Sequence, residues 1–312
     1  MNPRTQIPFR RGRFEDLPDS PRVPHPYFTV PSRTLRVPTV KLGTVETHLR
    51  VQGSGPPLLL VHGLMTSSYS WRYVFEPLSA HFTCYAPDLP GNGRSSAPPG
   101  RYHPDAFSEW ISALIDVLSI RGCAAVGNSM GGYLCMRLAL RDPGAMSRLV
   151  NLHSPGVPEL RLNILHGLCA IPGVRKLIAG MARREPERWA YKNVHYWDES
   201  LKSLEEVREY GAPLSTAEGS MAFVKHLTEV MAPGPIQDFQ HELHTRQLRG
   251  ELFPIPLLLL YAEHDPMVPA YFGDIMAART GAPLIRLQQA SHFAHVDNPK
   301  AFLDAALPWL LK

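Results

Sequence analysis

Apolar residues recur along the chain in two rhythms, and the places where one gives way to the other outline its elements. Leu35–Val40 and Val45–Gln52 alternate apolar and polar positions around Gly43, which predicts an antiparallel hairpin. After the turn Gly53-Ser54-Gly55-Pro56 the alternation stops. Pro57-Leu58-Leu59-Leu60-Val61-His62-Gly63 is a continuous apolar run, the signature of a strand covered on both faces. Strand and helix patterns then take turns. Ser68–Ala80 is predicted helical, with Trp71, Val74, Phe75 and Leu78 on one face. Phe82–Ala86 is a strand, Pro104–Ile120 a helix, Cys123–Gly127 a strand, Met130–Arg141 a helix and Arg148–Leu152 a strand. Strands that each feed a helix predict a mostly parallel sheet with right-handed crossovers.

From Gly156 to Gly250 the pattern contains helical patches only, at Leu162–Leu168, Val174–Arg183, Leu201–Tyr210, Met221–Val230 and Ile236–Leu248. The sheet rhythm returns with a strand over Ile255–Tyr261, a helix over Ala270–Thr280, a strand over Leu284–Leu287 and a closing helix over Pro299–Leu311. The expectation is an α/β core, residues 35–156 and 251–312, interrupted after its sixth strand by a helical cap, residues 157–250. Such insertions sit over strand C-terminal ends, where ligands bind. Residues 1–34 are too rich in proline for a helix or central strand and read as an extended arm over the main domain.

Composition narrows the classes. With 32 Lys+Arg against 28 Asp+Glu in 312 residues, the net charge of +4 is too mild to call for nucleic acid. The basic patch Arg10-Arg11-Gly12-Arg13 is short and reads as solvated surface. The four cysteines, Cys84, Cys123, Cys135 and Cys169, have no metal-ligand spacing and do not suggest a disulfide scaffold. The first residues have no apolar core of signal-peptide length, and the most apolar run, Ile255–Ala262, is too short to span a membrane. A soluble cytoplasmic protein is expected.

The chemistry centres on Val126-Gly127-Asn128-Ser129-Met130-Gly131-Gly132. Gly-x-Ser-x-Gly is weak as a bare motif, but here it lies between a strand and a helix, the context of a nucleophile elbow. Small residues on both sides let strand and helix approach, and the hydroxyl is lifted clear of the sheet. A serine hydroxyl needs a base, and the base an orienting acid. Both should follow in chain order, each after a late strand. The exit loop of the Leu257–Tyr261 run offers Asp265, with Glu263 as its rival. The loop after Leu284–Gln289 offers His292, with His295 one helical turn on. Two backbone N–H groups are needed for the developing oxyanion, and Met130 and Leu64 are the candidates. His62 reads as a hydrogen-bonding shaper of the Leu64 loop.

Taken together, LLLVHGL (58–64), PDLPGNGRS (87–95), VGNSMGG (126–132), LLLLYAEHDPMVP (257–269) and SHFAHVDNP (291–299) resemble the α/β-hydrolase fold, within its esterase, dehalogenase and epoxide-hydrolase group. The resemblance covers about 40–155 and 255–312. It implies Ser129 as nucleophile, Asp265 as acid, His292 as base, Leu64 and Met130 as oxyanion donors, a helical cap, and neither cofactor nor metal. It gives Asp88 and Arg94 packing or hydrogen-bonding roles. The leader RFEDLPDSPRVPHPYF is similar to that of haloalkane dehalogenases. Those enzymes and epoxide hydrolases, however, use an aspartate where this chain has Ser129, so dehalogenation and epoxide opening are disfavoured.

The expected activity is hydrolysis of small to medium apolar acyl esters through an acyl-enzyme. Carbon–carbon bond hydrolysis of the meta-cleavage type is the alternative enzyme reading, since those hydrolases often carry Gly-Asn-Ser-Met-Gly-Gly. Against it stand Leu64-Met65-Thr66-Ser67 and Phe293, where those enzymes usually have a glycine-rich loop and a tryptophan. A non-catalytic receptor on the same fold is the alternative outside enzymes. In the cap, Trp189, Tyr191, Tyr196, Trp197, Phe223 and Phe239 could line an apolar pocket or pack the cap onto the sheet. His241 and His244 could touch one metal but have no clear third ligand.

Overall fold

The computed structural model describes residues 8–312, so the first seven residues of the expected arm lie outside the described residues. The hairpin is β1 (Ser32–Thr39) and β2 (Gly43–Gln52), followed by β3 (Pro57–Val61), β4 (Thr83–Pro87), β5 (Cys123–Asn128), β6 (Met146–Leu152), β7 (Leu257–Ala262) and β8 (Leu284–Leu287). They form one eight-stranded sheet in the order β1-β2-β4-β3-β5-β6-β7-β8. The β1–β2 and β2–β4 pairs are antiparallel and all the others parallel. Between the strands run α1 (Phe75–Ser79), α2 (Pro104–Leu118) and α3 (Met130–Arg141).

Six helices separate β6 from β7: α4 (Leu160–Cys169), α5 (Val174–Arg184), α6 (Pro186–Asn193), α7 (Leu204–Gly211), α8 (Ala217–Lys225) and α9 (Pro233–Leu248). The chain ends with α10 (Tyr271–Thr280), α11 (Ala294–Asp297) and α12 (Pro299–Leu310). Alternate residues of the central strands feed two cores. Leu59, Val61 and Ala125 pack with Trp110, Ile111 and Leu134 on one face. Leu58, Leu60 and Val126 pack with Phe75, Phe302 and Leu310 on the other. Two covered faces are why these strands read as unbroken apolar runs.

Three expectations need correction. The helix over Ser68–Ala80 is two pieces, a 3₁₀ segment (Ser68–Trp71) and the five-residue α1. Pro77 is tolerated only in a helix's first turn, so α1 must begin just before it. All four inward side chains of the pattern are nonetheless fully buried. Second, α6 escaped notice because its eight residues carry a mostly polar pattern; Pro186 at its first position was the available signal. Third, only the later part of the arm lies over the core as expected, with Tyr27 Oη hydrogen-bonded to Ser68 and Val30 O accepting from Arg50; its earlier described residues lie against the helical insertion. Leu204 and Glu205 N–H donate to Pro18 and Asp19 carbonyls, Tyr191 Oη donates to Gly12 O, and Arg188 pairs with Glu15.

The insertion is tied to the core by a buried ion pair. Arg72, after the 3₁₀ segment, meets Glu206 of α7 at 2.5 Å, with both side chains at most 1% exposed. Tyr196 Oη also donates to Glu206.

Candidate active site

Ser129 is the single residue between β5 and α3, with φ 53° and ψ −122°, a region that side chains other than glycine rarely occupy. Its N–H donates to Leu152 O at 2.7 Å, which anchors the turn to β6. The turn is possible only because its neighbours are bare. A Cβ on Gly127 would stand 2.6 Å from Gly132 Cα, and one on Gly131 would run into the Val61 and His62 carbonyls.

Ser129 and His292 line one cavity of about 110 Å³. Leu64 and Met130 line it too, and a Cβ on Gly63 would lie 3.0 Å from the Ser129 Cβ, so the β3 exit loop is pressed against the serine. Met130 also opens α3, whose N-terminal end carries partial positive charge favourable to an anion. The remaining walls are mostly Leu162, Leu227, Met231, Met267, Val268 and Phe293. Leu227 arrives from a π-helical turn (His226–Val230) that extends α8. None of the six cap aromatics lines this cavity. Phe239, for example, packs edge-on against Tyr133, and Tyr196 is spent on Glu206.

Asp265 and His292 meet in the buried floor of the site. His292 Nδ1 is 2.7 Å from Asp265 Oδ2, with side-chain exposures of 2% and 0%. Asp265 Oδ1 accepts from the Met267 and Val268 N–H groups at 2.7 and 2.9 Å. Burial by itself raises the carboxyl's pKa. The His292 ring and its hydrogen bond, then His153 and the Val268 N–H, outweigh that and leave it lowered. An ionised carboxylate facing Nδ1 fixes the proton on Nδ1 and leaves His292 Nε2 as the acceptor. Asn128 Nδ2 donates to His292 O at 3.1 Å, linking the elbow directly to the histidine's backbone.

The rivals lie elsewhere. Glu263 is exposed and hydrogen-bonded to Gln288. His295 is fully buried against Trp71, ring centroids 4.4 Å apart, and does not line the cavity. His62 bonds Gly63 O through Nδ1 and accepts Leu89 N–H at Nε2, both at 2.8 Å, so it joins the loops after β3 and β4. Asp88 accepts from Ser68 and Arg94 N–H, and Arg94 makes a bidentate pair with Glu209. His244 contacts Arg279 and Gln247, and no cluster able to hold a metal occurs among the described residues.

Three polar groups at the site gave no clear signal in the sequence. His153, after β6, has φ 54° and accepts Ala262 N–H at Nε2, and its ring lies 5.6 Å from that of His292. Burial lowers its pKa to about 3, so it is a neutral neighbour of the Asp265–His292 pair. Glu159 lines the cavity and is paired with Arg161 at 2.7 Å. Asp297 accepts Ser291 N–H at 3.1 Å and Trp197 N–H at 2.8 Å, joining the histidine loop to the insertion.

Comparison with known proteins agrees with this fold. The sequence model described as "Alpha/beta hydrolase family" matches residues 58–305. The 2-hydroxy-6-oxo-2,4-heptadienoate hydrolase of Pseudomonas putida is 31% identical over 240 residues, which is 74% of this chain and 79% of that protein. The pimeloyl-[acyl-carrier protein] methyl ester esterase of Aeromonas salmonicida is 25% identical over 270 residues, 81% of this chain and 94% of that one. Among solved structures, a thermophilic esterase from Thermogutta terrifontis superposes with a TM-score of 0.71 at 20% identity, covering 89% of this chain and 98% of that chain.

Proposed function

The chain belongs to the alpha/beta hydrolase family, and from that premise we propose that it is a serine hydrolase cleaving esters of small to medium, largely apolar acyl groups. The observation that carries this reading is the buried Asp265–His292 pair opening onto the same apolar cavity as the elbow serine. Ser129 Oγ attacks the ester carbonyl while His292 Nε2 takes its proton. The oxyanion is met by the Leu64 and Met130 N–H groups, and His292 returns the proton to the departing alcohol. Water, deprotonated by His292, then attacks the acyl-serine and frees the acid. Asp265 holds the ring and stabilises the imidazolium without accepting its proton. No step calls for a cofactor or metal, and the helical insertion acts as the cap that closes the apolar side.

Carbon–carbon bond hydrolysis is the second reading, favoured by the likeness to the heptadienoate hydrolase. A dienoate carries a carboxylate. Among the described residues the cavity wall presents no Lys or Arg, and its one acidic side chain is Glu159. That charge balance favours the ester.

A fluorophosphonate should label Ser129, and p-nitrophenyl esters of graded length should turn over, best for short and medium chains. Ser129→Ala should lose at least ~10³ in kcat. Turnover of a dienol diketone alone would establish the second reading. Tight ligand binding with no turnover of either would make the protein a receptor.

A further inference from the structure

Six of the sixteen exposed large apolar side chains among the described residues fall in one short stretch, Leu160 to Met181. Leu160, Ile164 and Leu168 recur every four residues along α4, at 72%, 55% and 52% exposure, and so form one ridge. Ile171 continues the series in the connecting turn, and Leu177 and Met181 repeat the four-residue spacing on α5. The opposite side of α4 is apolar as well, with Leu162 lining the Ser129 cavity and Cys169 buried. A helix that is apolar on both sides has one side to spare for a partner.

The charge on this stretch is equally lopsided. From Leu160 to Arg184 there are five basic residues, Arg161, Arg175, Lys176, Arg183 and Arg184, and no acidic one. The rest of the chain holds 27 basic and 28 acidic residues, so the whole positive excess of the protein resides in these two helices. Arg161 and Arg175 are paired with Glu159 and Glu229. Lys176, Arg183 and Arg184 are exposed, with no ion pair among the described residues. On α5, Arg184 is one turn beyond Met181 on the aliphatic stripe, and Lys176 and Arg183 flank it.

We propose that the α4–α5 pair docks the protein on an anionic lipid surface, with the exposed aliphatic side chains entering the headgroup–acyl boundary and the free basic residues meeting the headgroups. No single helix among the described residues is long and apolar enough to cross a membrane, and α4 and α5 are bent by 103° at their junction, which suits an element lying on a bilayer. The charge pattern selects lipid over a second copy of the chain, because two copies of this face would bring like charges together. Docking through the outer ridge of α4 leaves its inner face, with Leu162, on the Ser129 cavity.

Co-sedimentation with vesicles tests this. The protein should bind vesicles of equal phosphatidylglycerol and phosphatidylcholine at least tenfold more tightly than phosphatidylcholine alone, since each basic residue near the surface contributes about fivefold. Binding should weaken as salt is added. The triple variant Leu160→Ser, Ile164→Ser, Leu168→Ser should lose at least tenfold in vesicle binding while hydrolysing p-nitrophenyl acetate in solution as the wild type does. Lys176→Gln with Arg183→Gln should cut the preference for the anionic vesicles at least tenfold. Absence of binding to either vesicle overturns the proposal. So does a wild-type dimer that the triple variant converts to monomer, which would make this face a contact between copies. The soluble-ester assay reports on Ser129 chemistry independently of either result.

Discussion

The Asp265 carboxylate and the His292 imidazole form a fully enclosed pair, 2.7 Å apart, at the exits of β7 and β8. The carboxylate is held in its lowered-pKa, ionised state by the ring and two loop N–H groups. Asp265→Asn removes the charge but keeps the shape, and its amide can turn the ring to the wrong tautomer. Ester turnover should fall by ~10⁴ with the circular dichroism spectrum unchanged. Glu263→Gln, in the exposed rival carboxylate, should leave kcat within about twofold. A larger loss at Glu263 than at Asp265 would reverse the assignment of the acid.

Glu159 gives the cavity a sign. It lines the same apolar space as Ser129, and among the described residues no lysine or arginine does. A substrate carboxylate about 6 Å from an unpaired Glu159, at an effective dielectric near 20, would be disfavoured by about 100-fold, and the Arg161 partner offsets part of this to leave roughly 10–100-fold. The p-nitrophenyl hemisuccinate should therefore show a kcat/KM lower than p-nitrophenyl butyrate by about that factor. Glu159→Gln should close most of the gap by raising the anionic substrate's kcat/KM. An unchanged ratio would show that the charge does not reach the bound substrate.

Much of this was legible in the chain. The parallel strands announced themselves because two covered faces leave no polar positions in Leu58–Val61 or Leu257–Tyr261. Ser129, Asp265 and His292 were legible because each follows a strand at a loop whose residues are fixed by the sheet. What stayed hidden depends on tertiary partners. His153 is one polar residue after a strand until Ala262 and the His292 ring pack around it. Glu159 reads as a helix-start carboxylate, and only the fold of α4 over the sheet brings it into the cavity. The cap aromatics could not be assigned between pocket and packing because aromatic content says nothing about which side of a helix faces the ligand; methionine and leucine line the cavity instead.

Asp297 makes the union of insertion and histidine loop sensitive to pH. Burial raises its pKa to about 7, against a normal value near 3.8. Between those values the folded protein holds a proton that the unfolded chain has released. The contribution to stability is complete below about pH 4 and declines as pH rises to about 7, by roughly 1.4 kcal/mol per unit at most. Asn at this position mimics the protonated acid and can still accept from Ser291 and Trp197. Urea titrations at pH 5, 6, 7 and 8 should show the wild type losing stability relative to Asp297→Asn up to pH 7, with little further change above. Parallel curves for the two proteins would show that Asp297 ionises normally.

The Arg72–Glu206 pair ties the insertion to the core with both charges out of water. Burial pushes the Glu206 pKa up, and Arg72, Tyr196 and Lys202 pull against it. Losing one partner strands the other. Glu206→Gln leaves the Arg72 guanidinium buried without its counter-charge, and stability should fall by ~3–5 kcal/mol in urea denaturation. Replacing both, Arg72→Met with Glu206→Leu, removes the stranded charge and should recover most of that loss, since a buried pair gains little over apolar side chains of similar size. The single variant should also expose α7 to proteolysis before the sheet unfolds, because α7 loses its anchor while the strands keep theirs. If the double replacement is as unstable as the single one, the pair is worth more than its desolvation cost, and the insertion depends on that charge contact for its stability.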